Sequence, residues 1–282
     1  MQAKSISLYF KAEDIGKILI IANGPNSQAF KEIVTAQVVG SYGCLSSRVQ
    51  VVDGEELYKL GTQQSGWTSQ QLFKLLAAKL VSADHYLVID SKNHFVNAVS
   101  GTDFIDADGR MRMTSQSNAH SLSDLFRNSY KYFSLDPERW INDALPQTTP
   151  FMINTADALE MMSLVEVIEQ KPFGHFFFST YWNEKRVSEF FLISAYTVLK
   201  YAGFDKIYHF VPPISEIIFE DKANAHLIDL SLRRIRSGET KLWALHHLAK
   251  AHLGPEVRGT IGQLWLERGL IAEAAQADDY LT

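Results

Sequence analysis

DHYLVIDSKNHFV, residues 84–96, is the stretch whose reading decides the fold. Tyr86, Leu87, Val88 and Ile89 form an unbroken apolar run rich in β-formers, the pattern of a strand covered on both faces in the middle of an α/β sheet. Asp90 stands where that strand emerges. In open α/β sheets ligands bind beyond the carboxyl ends of the strands, so a carboxylate there is poised for a sugar hydroxyl, a ribose or a metal. By position alone, Asp90 and Ser91 read equally well as the cap of a turn.

Upstream, GWTSQQLFKLLAAKL carries Leu72, Leu75, Leu76 and Leu80 on one helical face, with Thr68 and Gln71 spaced as a capping box. The end of that helix bearing Trp67, Gln70, Gln71 and Lys74 is expected near a rim of the sheet. KILIIA (residues 17–22) and RVQVV (residues 48–52) are two earlier strand patterns, each closed by a polar turn, with a helix from Ser27 between them. Strands alternating with helices predict a mainly parallel sheet with right-handed crossovers.

Downstream, TDFIDADGRMRM predicts a hairpin with Asp106-Ala107-Asp108-Gly109 at its turn. A calcium loop is excluded, because the twelfth position counted from Asp103 or Asp106 is Thr114 or Ser117, not glutamate. Residues 150–154 predict a strand leading into a helix that reaches Ile168. The aromatic run Phe176, Phe177, Phe178, Tyr181 and Trp182 reads as core or as a stacking platform. Arg186-Val187-Ser188-Glu189 opens a further apolar helix.

Composition narrows the function classes. A chain of 282 residues with 46% hydrophobic and 21% charged residues fits a soluble globular protein of one large domain. Net charge −5 provides no electrostatic footprint for nucleic acid. The single cysteine, Cys44, excludes an internal disulfide framework and a cysteine-based zinc site, and agrees with a cytoplasmic location. Neither a membrane-spanning run nor a secretory apolar core at MQAKSISLYFKAED is found, so any membrane contact is expected to be peripheral. A Rossmann-type enzyme using a dinucleotide or methyl donor is disfavoured, since no Gly-x-Gly-x-x-Gly turn follows the buried strands.

GWTSQQLFKLLAAKL, HYLVIDSKNHFV, RVSEFFLISAY and LWALHHLAKAHL, in that order, resemble blocks of a bacterial family of nucleotide-sugar glycosyltransferases with a GT-A-like fold. The likeness covers nearly the whole chain. It implies one α/β domain over residues 1–282, a mixed, mainly parallel sheet flanked by helices, and a mainly helical portion from about residue 220. It also implies a strand ahead of KSISLYF, for which this chain has no room. The implied activity moves a sugar from a nucleotide-activated donor to a cell-surface polysaccharide or a lipid-linked glycan precursor.

By the same resemblance Asp90 corresponds to an Asp-x-Asp region, which holds the donor ribose and a divalent metal (Mn2+ or Mg2+) against the diphosphate. Here the third position is Lys92, whose ammonium offsets diphosphate charge without a metal. Asn23 falls at the end of a donor-side strand. Glu189 is the candidate for acceptor activation or sugar recognition, and His246 for diphosphate contact or for a metal site with Asp90. Trp67, Gln71, Lys74, Lys92 and Asn93 complete the candidate substrate contacts. Glu189 reads alternatively as a helix cap and His246 as a core histidine. The alternative function is a catalytically silent GT-A-like binding or assembly protein.

Overall fold

Short β-branched runs punctuated by Gly, Asp and Asn make short strands, and longer amphipathic runs between them make the helices that cover those strands. The computed structural model describes residues 1–24, 26–59, 66–181 and 186–281. The chain opens with α1 (Gln2–Tyr9), β1 (Ile18–Ala22), α2 (Ser27–Gln37), β2 (Val49–Asp53), α3 (Gly54–Leu57) and α4 (Gly66–Leu76). The strand of the central stretch follows as β3 (His85–Val88), then β4 (Asn93–Phe95) and β5 (Met111–Met113). Next come α5 (Ser123–Tyr132), β6 (Phe151–Asn154), α6 (Thr155–Glu169), α7 (Phe173–Tyr181) and α8 (Glu189–Tyr201). The last part holds β7 (Tyr208–Phe210), β8 (Ser215–Ile218), α9 (Ala225–Ser237), β9 (Leu242–Leu245), α10 (His247–Lys250), α11 (Pro255–Glu267) and α12 (Asp278–Leu281).

The architecture is mixed α/β, but the single sheet expected from the sequence is replaced by small ones. Among the described residues β1–β2 and β5–β7 pair in parallel, β3–β6 pair antiparallel, and β9 joins antiparallel β4 to parallel β8. The strand at Tyr86–Val88 is therefore not the centre of a parallel sheet. It hydrogen-bonds along β6 only, Leu87 opposite Met152, and three of its four residues are half-buried. The physical reason is that an apolar run reports coverage of two faces and says nothing about the number of strand neighbours. Coverage here includes helix α4, whose Lys74 carbonyl accepts the Tyr86 hydroxyl at 3.0 Å.

One other expectation is corrected. Thr68 and Gln71 lie inside α4 on its buried face and do not begin it. Helix α1 packs on the turn that follows β3: Gln2 Nε2 donates to the carbonyls of Asp90 (2.7 Å) and Asn93 (3.0 Å), and Ser5 Oγ accepts the Phe95 N–H (3.0 Å).

Other local readings hold in part. The Asp106 to Gly109 segment is a turn, with Asp106 Oδ1 accepting the N–H groups of Asp108 and Arg110 and Gly109 at φ +81°, but its flanks meet in a single bridge, Ile105 to Met111, because β5 pairs with β7. Phe176, Phe177 and Phe178 are core side chains, whereas Trp182 lies outside the described residues.

The core has two parts. The larger runs from α4 through β6 and α8, where Phe151 stacks on Phe190 at 4.1 Å. The smaller collects Val96, Trp243, Ile261 and Trp265, and belongs largely to the helical portion after Ile218. Pairing of β9 with β4 joins the two directly behind Asp90. Among the described residues no helix is long and apolar enough to cross a membrane.

Candidate functional site

The turn after β3 is built by its own polar side chains. Asn93 N–H donates to the Asp90 carbonyl (2.9 Å), while Asn93 Oδ1 accepts both the Asp90 N–H (2.8 Å) and the Thr149 hydroxyl (2.7 Å). Such reciprocal bonds fix the backbone at Asp90 in the way an Asx-type turn does. Its carboxylate is thereby presented to two cations. Lys74 Nζ stands 3.0 Å from Oδ1, and Lys92 Nζ stands 2.5 Å from Oδ2.

Lys74 also reaches Glu189 Oε1 at 3.2 Å and lies over the Phe190 ring, 4.9 Å from its centroid. Glu189 is buried, and its second oxygen accepts Gln147 Nε2 at 3.3 Å. Gln147 is held in turn by the Ser188 hydroxyl at 2.7 Å. The result is a continuous chain of charges and amides from the surface inward: Lys92, Asp90, Lys74, Glu189, Gln147.

Burial would push the Asp90 carboxyl up, but Lys74 and Lys92 outweigh it and hold it down at about 2. Glu189 moves the other way: burial raises its pKa, and Lys74 offsets only part of that rise. Burial disfavours the Lys74 ammonium, yet Glu189 and Asp90 together leave its pKa raised. The cluster therefore carries a fixed cation between two carboxylates with opposite proton affinities.

The remaining sequence candidates are dispersed. Asn23 follows β1, but both ends of its amide stitch the first turn of α4, Nδ2 to the Gly66 carbonyl (3.0 Å) and Oδ1 from the Ser69 hydroxyl (2.7 Å). Trp67 is 41% exposed on that same turn. Gln71 is 2% exposed, and among the described residues neither its Nε2 nor its Oε1 has a hydrogen-bond partner. Asn93 shapes the turn, with only its Nδ2 left unpartnered. His246 caps α10, with Nδ1 accepting the Leu248 N–H at 3.4 Å, and its ring lies 4.3 Å from that of His247. Burial, His247 and Lys92 all lower its pKa, so it lies within electrostatic reach of Lys92. It also lines a surface cleft with Phe219, Glu220, Asp221 and Leu248.

A divalent cation requires open oxygen or nitrogen ligands. Both Asp90 oxygens are engaged by ammonium groups, Glu189 is sealed behind Lys74, and His246 uses Nδ1 as a cap. Among the described residues no group of three His, Cys, Asp or Glu side chains gathers as a metal site. The donor set does not fit Mn2+ or Mg2+, and two lysines supply the positive charge at Asp90.

Sequence reasoning missed Gln147 and Thr149, and it placed Ser188 at the start of α8 without its bond to Gln147. The first two lie in the loop before β6, and nothing in their spacing signals contact with residues more than forty positions away. Burial of the apolar α8 at its Glu189 end was the one available clue to a buried counterion, since an acidic residue there demands a cation.

Comparison with curated proteins finds no match. Residues 2–221 match a family of unknown function, DUF6492, ending where the helical C-terminal portion begins, and the chain belongs to that family.

Proposed function

We propose that this protein is a glycosyltransferase with a GT-A-like fold that takes its sugar from a nucleoside-diphosphate donor, and that its lysines replace a metal. The observation that carries the reading is the pair Lys92–Asp90 at 2.5 Å in the turn after β3. Lys92 is the outermost member of the cluster, free to move from the carboxylate to a diphosphate. Transfer forms a bond from an acceptor hydroxyl oxygen to the anomeric carbon and breaks the carbon–oxygen bond to the diphosphate. The diphosphate leaves with the electron pair, and the hydroxyl proton passes to solvent. A preorganised cation beside the leaving group lowers the barrier because it meets charge as that charge develops. Asp90, released from Lys92, becomes an acceptor for a ribose or sugar hydroxyl.

Glu189 has a different part from that expected of it. At 2% exposure it holds Lys74 in place and does not reach an acceptor. The exposed free thiol of Cys44 agrees with action in the cytoplasm, on a polysaccharide or lipid-linked precursor. The second reading, a binding or assembly protein without turnover, is favoured by one observation: both Asp90 oxygens are already paired. Incubation with a panel of nucleoside-diphosphate sugars, read as release of the nucleoside diphosphate, separates the two. Release that fails in Asp90→Asn supports transfer, and binding without release supports the second reading. Absence of both sinks the proposal.

A further inference from the structure

A second cleft opens beside the carboxyl ends of β5 and β7, with Leu87 of β3 and Pro150, ahead of β6, in its wall. Its enclosed space is about 30 Å³, room for one compact group. Leu87, Phe104, Pro150 and Val211 make the lining largely apolar, with Thr114 and the guanidinium of Arg112 as polar groups. Arg112 lies on β5 in register with His209 of β7, and its backbone N–H is satisfied by the Phe104 carbonyl at 2.7 Å. Its side chain is not satisfied. The Nε atom is buried without a partner, and among the described residues Arg112 makes no ion pair.

The carboxylates around it are committed elsewhere. Asp103 lines the same cleft, but Oδ1 pairs with Lys241 at 2.6 Å and Oδ2 accepts the Ser100 N–H at 3.0 Å. Asp106, one turn away, pairs with Arg110 and His209, each at 3.0 Å. Only Nε of Arg112 is buried and the residue as a whole is partly exposed, but a buried donor without a partner is rare. The planar fork of the guanidinium matches a carboxylate or phosphate.

The cleft lies on the other face of the β3–β6 ladder from the Lys74–Glu189 cluster: the register partners Leu87 and Met152 line it, whereas Tyr86 bonds α4 and Phe151 stacks on Phe190 of α8.

We infer that the Arg112 cleft binds one compact oxyanion, a carboxylate or a phosphate carried on a sugar, at a site separate from the Asp90 cluster. An acidic sugar would thereby be preferred over a neutral one, since an unpaired guanidinium discriminates by what it leaves unmet when the anion is missing.

The test uses the full-length protein at constant ionic strength and without nucleotide. Inorganic phosphate, methyl glucuronide and methyl glucoside are titrated by calorimetry and by the shift in unfolding temperature that a ligand of the native state produces. At least one anion is expected to bind and stabilise, and the neutral glucoside is not. Binding of the glucuronide alone identifies a carboxylate, and binding of phosphate alone a phosphoryl group. R112M is expected to weaken anion binding about tenfold or more, and R112K, which keeps charge without the fork, by less. The wild-type comparison of charged and neutral ligands stands even if R112M fails to fold. The inference is overturned if neither anion binds, if the glucoside binds as well as the glucuronide, or if R112M binds like the wild type.

Discussion

Lys74 and Glu189, 115 residues apart in the chain, meet at 3.2 Å and connect α4 to the start of α8. Among the described residues Lys74 is the one cation paired with Glu189, so Lys74→Met leaves a buried carboxylate without it. Breaking a buried pair from one side costs about 3–5 kcal/mol. Denaturant unfolding at neutral pH measures that loss. Because Glu189 protonates more readily than an ordinary glutamate, the loss shrinks as pH falls. Adding Glu189→Gln to Lys74→Met recovers part of it. A Lys74→Met variant as stable as the wild type contradicts the role assigned to the pair.

Gln71 presents the opposite case, a buried amide with nothing to bond among the described residues. Gln71→Leu removes two unsatisfied polar atoms from the interior. Stability is therefore unchanged or raised by about 1 kcal/mol, while nucleotide affinity falls if the amide serves a ligand. Thermal unfolding and ligand titration of the same variant check both halves. A marked fall in unfolding temperature shows that Gln71 is structural.

Much of the framework was legible because it rests on local pattern. KILIIA, RVQVV and the run at Tyr86 became β1, β2 and β3 with boundaries within a residue or two, while the ion pair of Lys92 with Asp90 in the turn after β3 was not foreseen. What could not be read depends on long-range pairing. Nothing in Tyr86–Ile89 reveals that its ladder partner is antiparallel β6, and nothing in GWTSQQ shows that Thr68 and Gln71 face inward. Glu189 looked like a reagent because sequence cannot show that Lys74, Gln147 and the packed face of α8 enclose it. Arg112 drew no notice, since an arginine beside a hairpin turn is ordinarily solvated, and only the cleft makes its isolation visible.

His94 links the site to the C-terminal core. Its Nδ1 lies 3.3 Å from the Lys92 carbonyl and its Nε2 accepts the Trp265 indole N–H at 2.9 Å, an arrangement that requires the neutral ring. Burial lowers its pKa from 6.5 to about 4. A depressed folded value means that the stabilisation is fully present above about 6.5 and lost as pH falls toward 4, amounting to about 3 kcal/mol. Urea unfolding between those values checks the slope. His94→Gln is expected to be less stable at neutral pH with a flatter dependence, and an unchanged slope contradicts the assignment.

The indole bond itself is tested at Trp265. Trp265→Phe keeps an aromatic side chain but leaves His94 Nε2 buried without a donor, which costs about 1–3 kcal/mol, with a further loss for the ring volume removed. A loss of that size measured by denaturant unfolding, with nucleotide affinity reduced through displacement of Lys92, is the expected outcome. Unchanged stability shows that the bond is not made in solution.

The central claim is that Lys92 meets the donor diphosphate in place of a metal. Calorimetric titration of the full chain with nucleoside diphosphates, with and without chelator, tests it most directly, alongside Lys92→Ala. The account predicts binding that survives chelator and weakens roughly ten- to hundredfold in Lys92→Ala, the range for a hydrogen bond to a charged group. Absence of binding by the wild type, or binding abolished by chelator and untouched in Lys92→Ala, contradicts it.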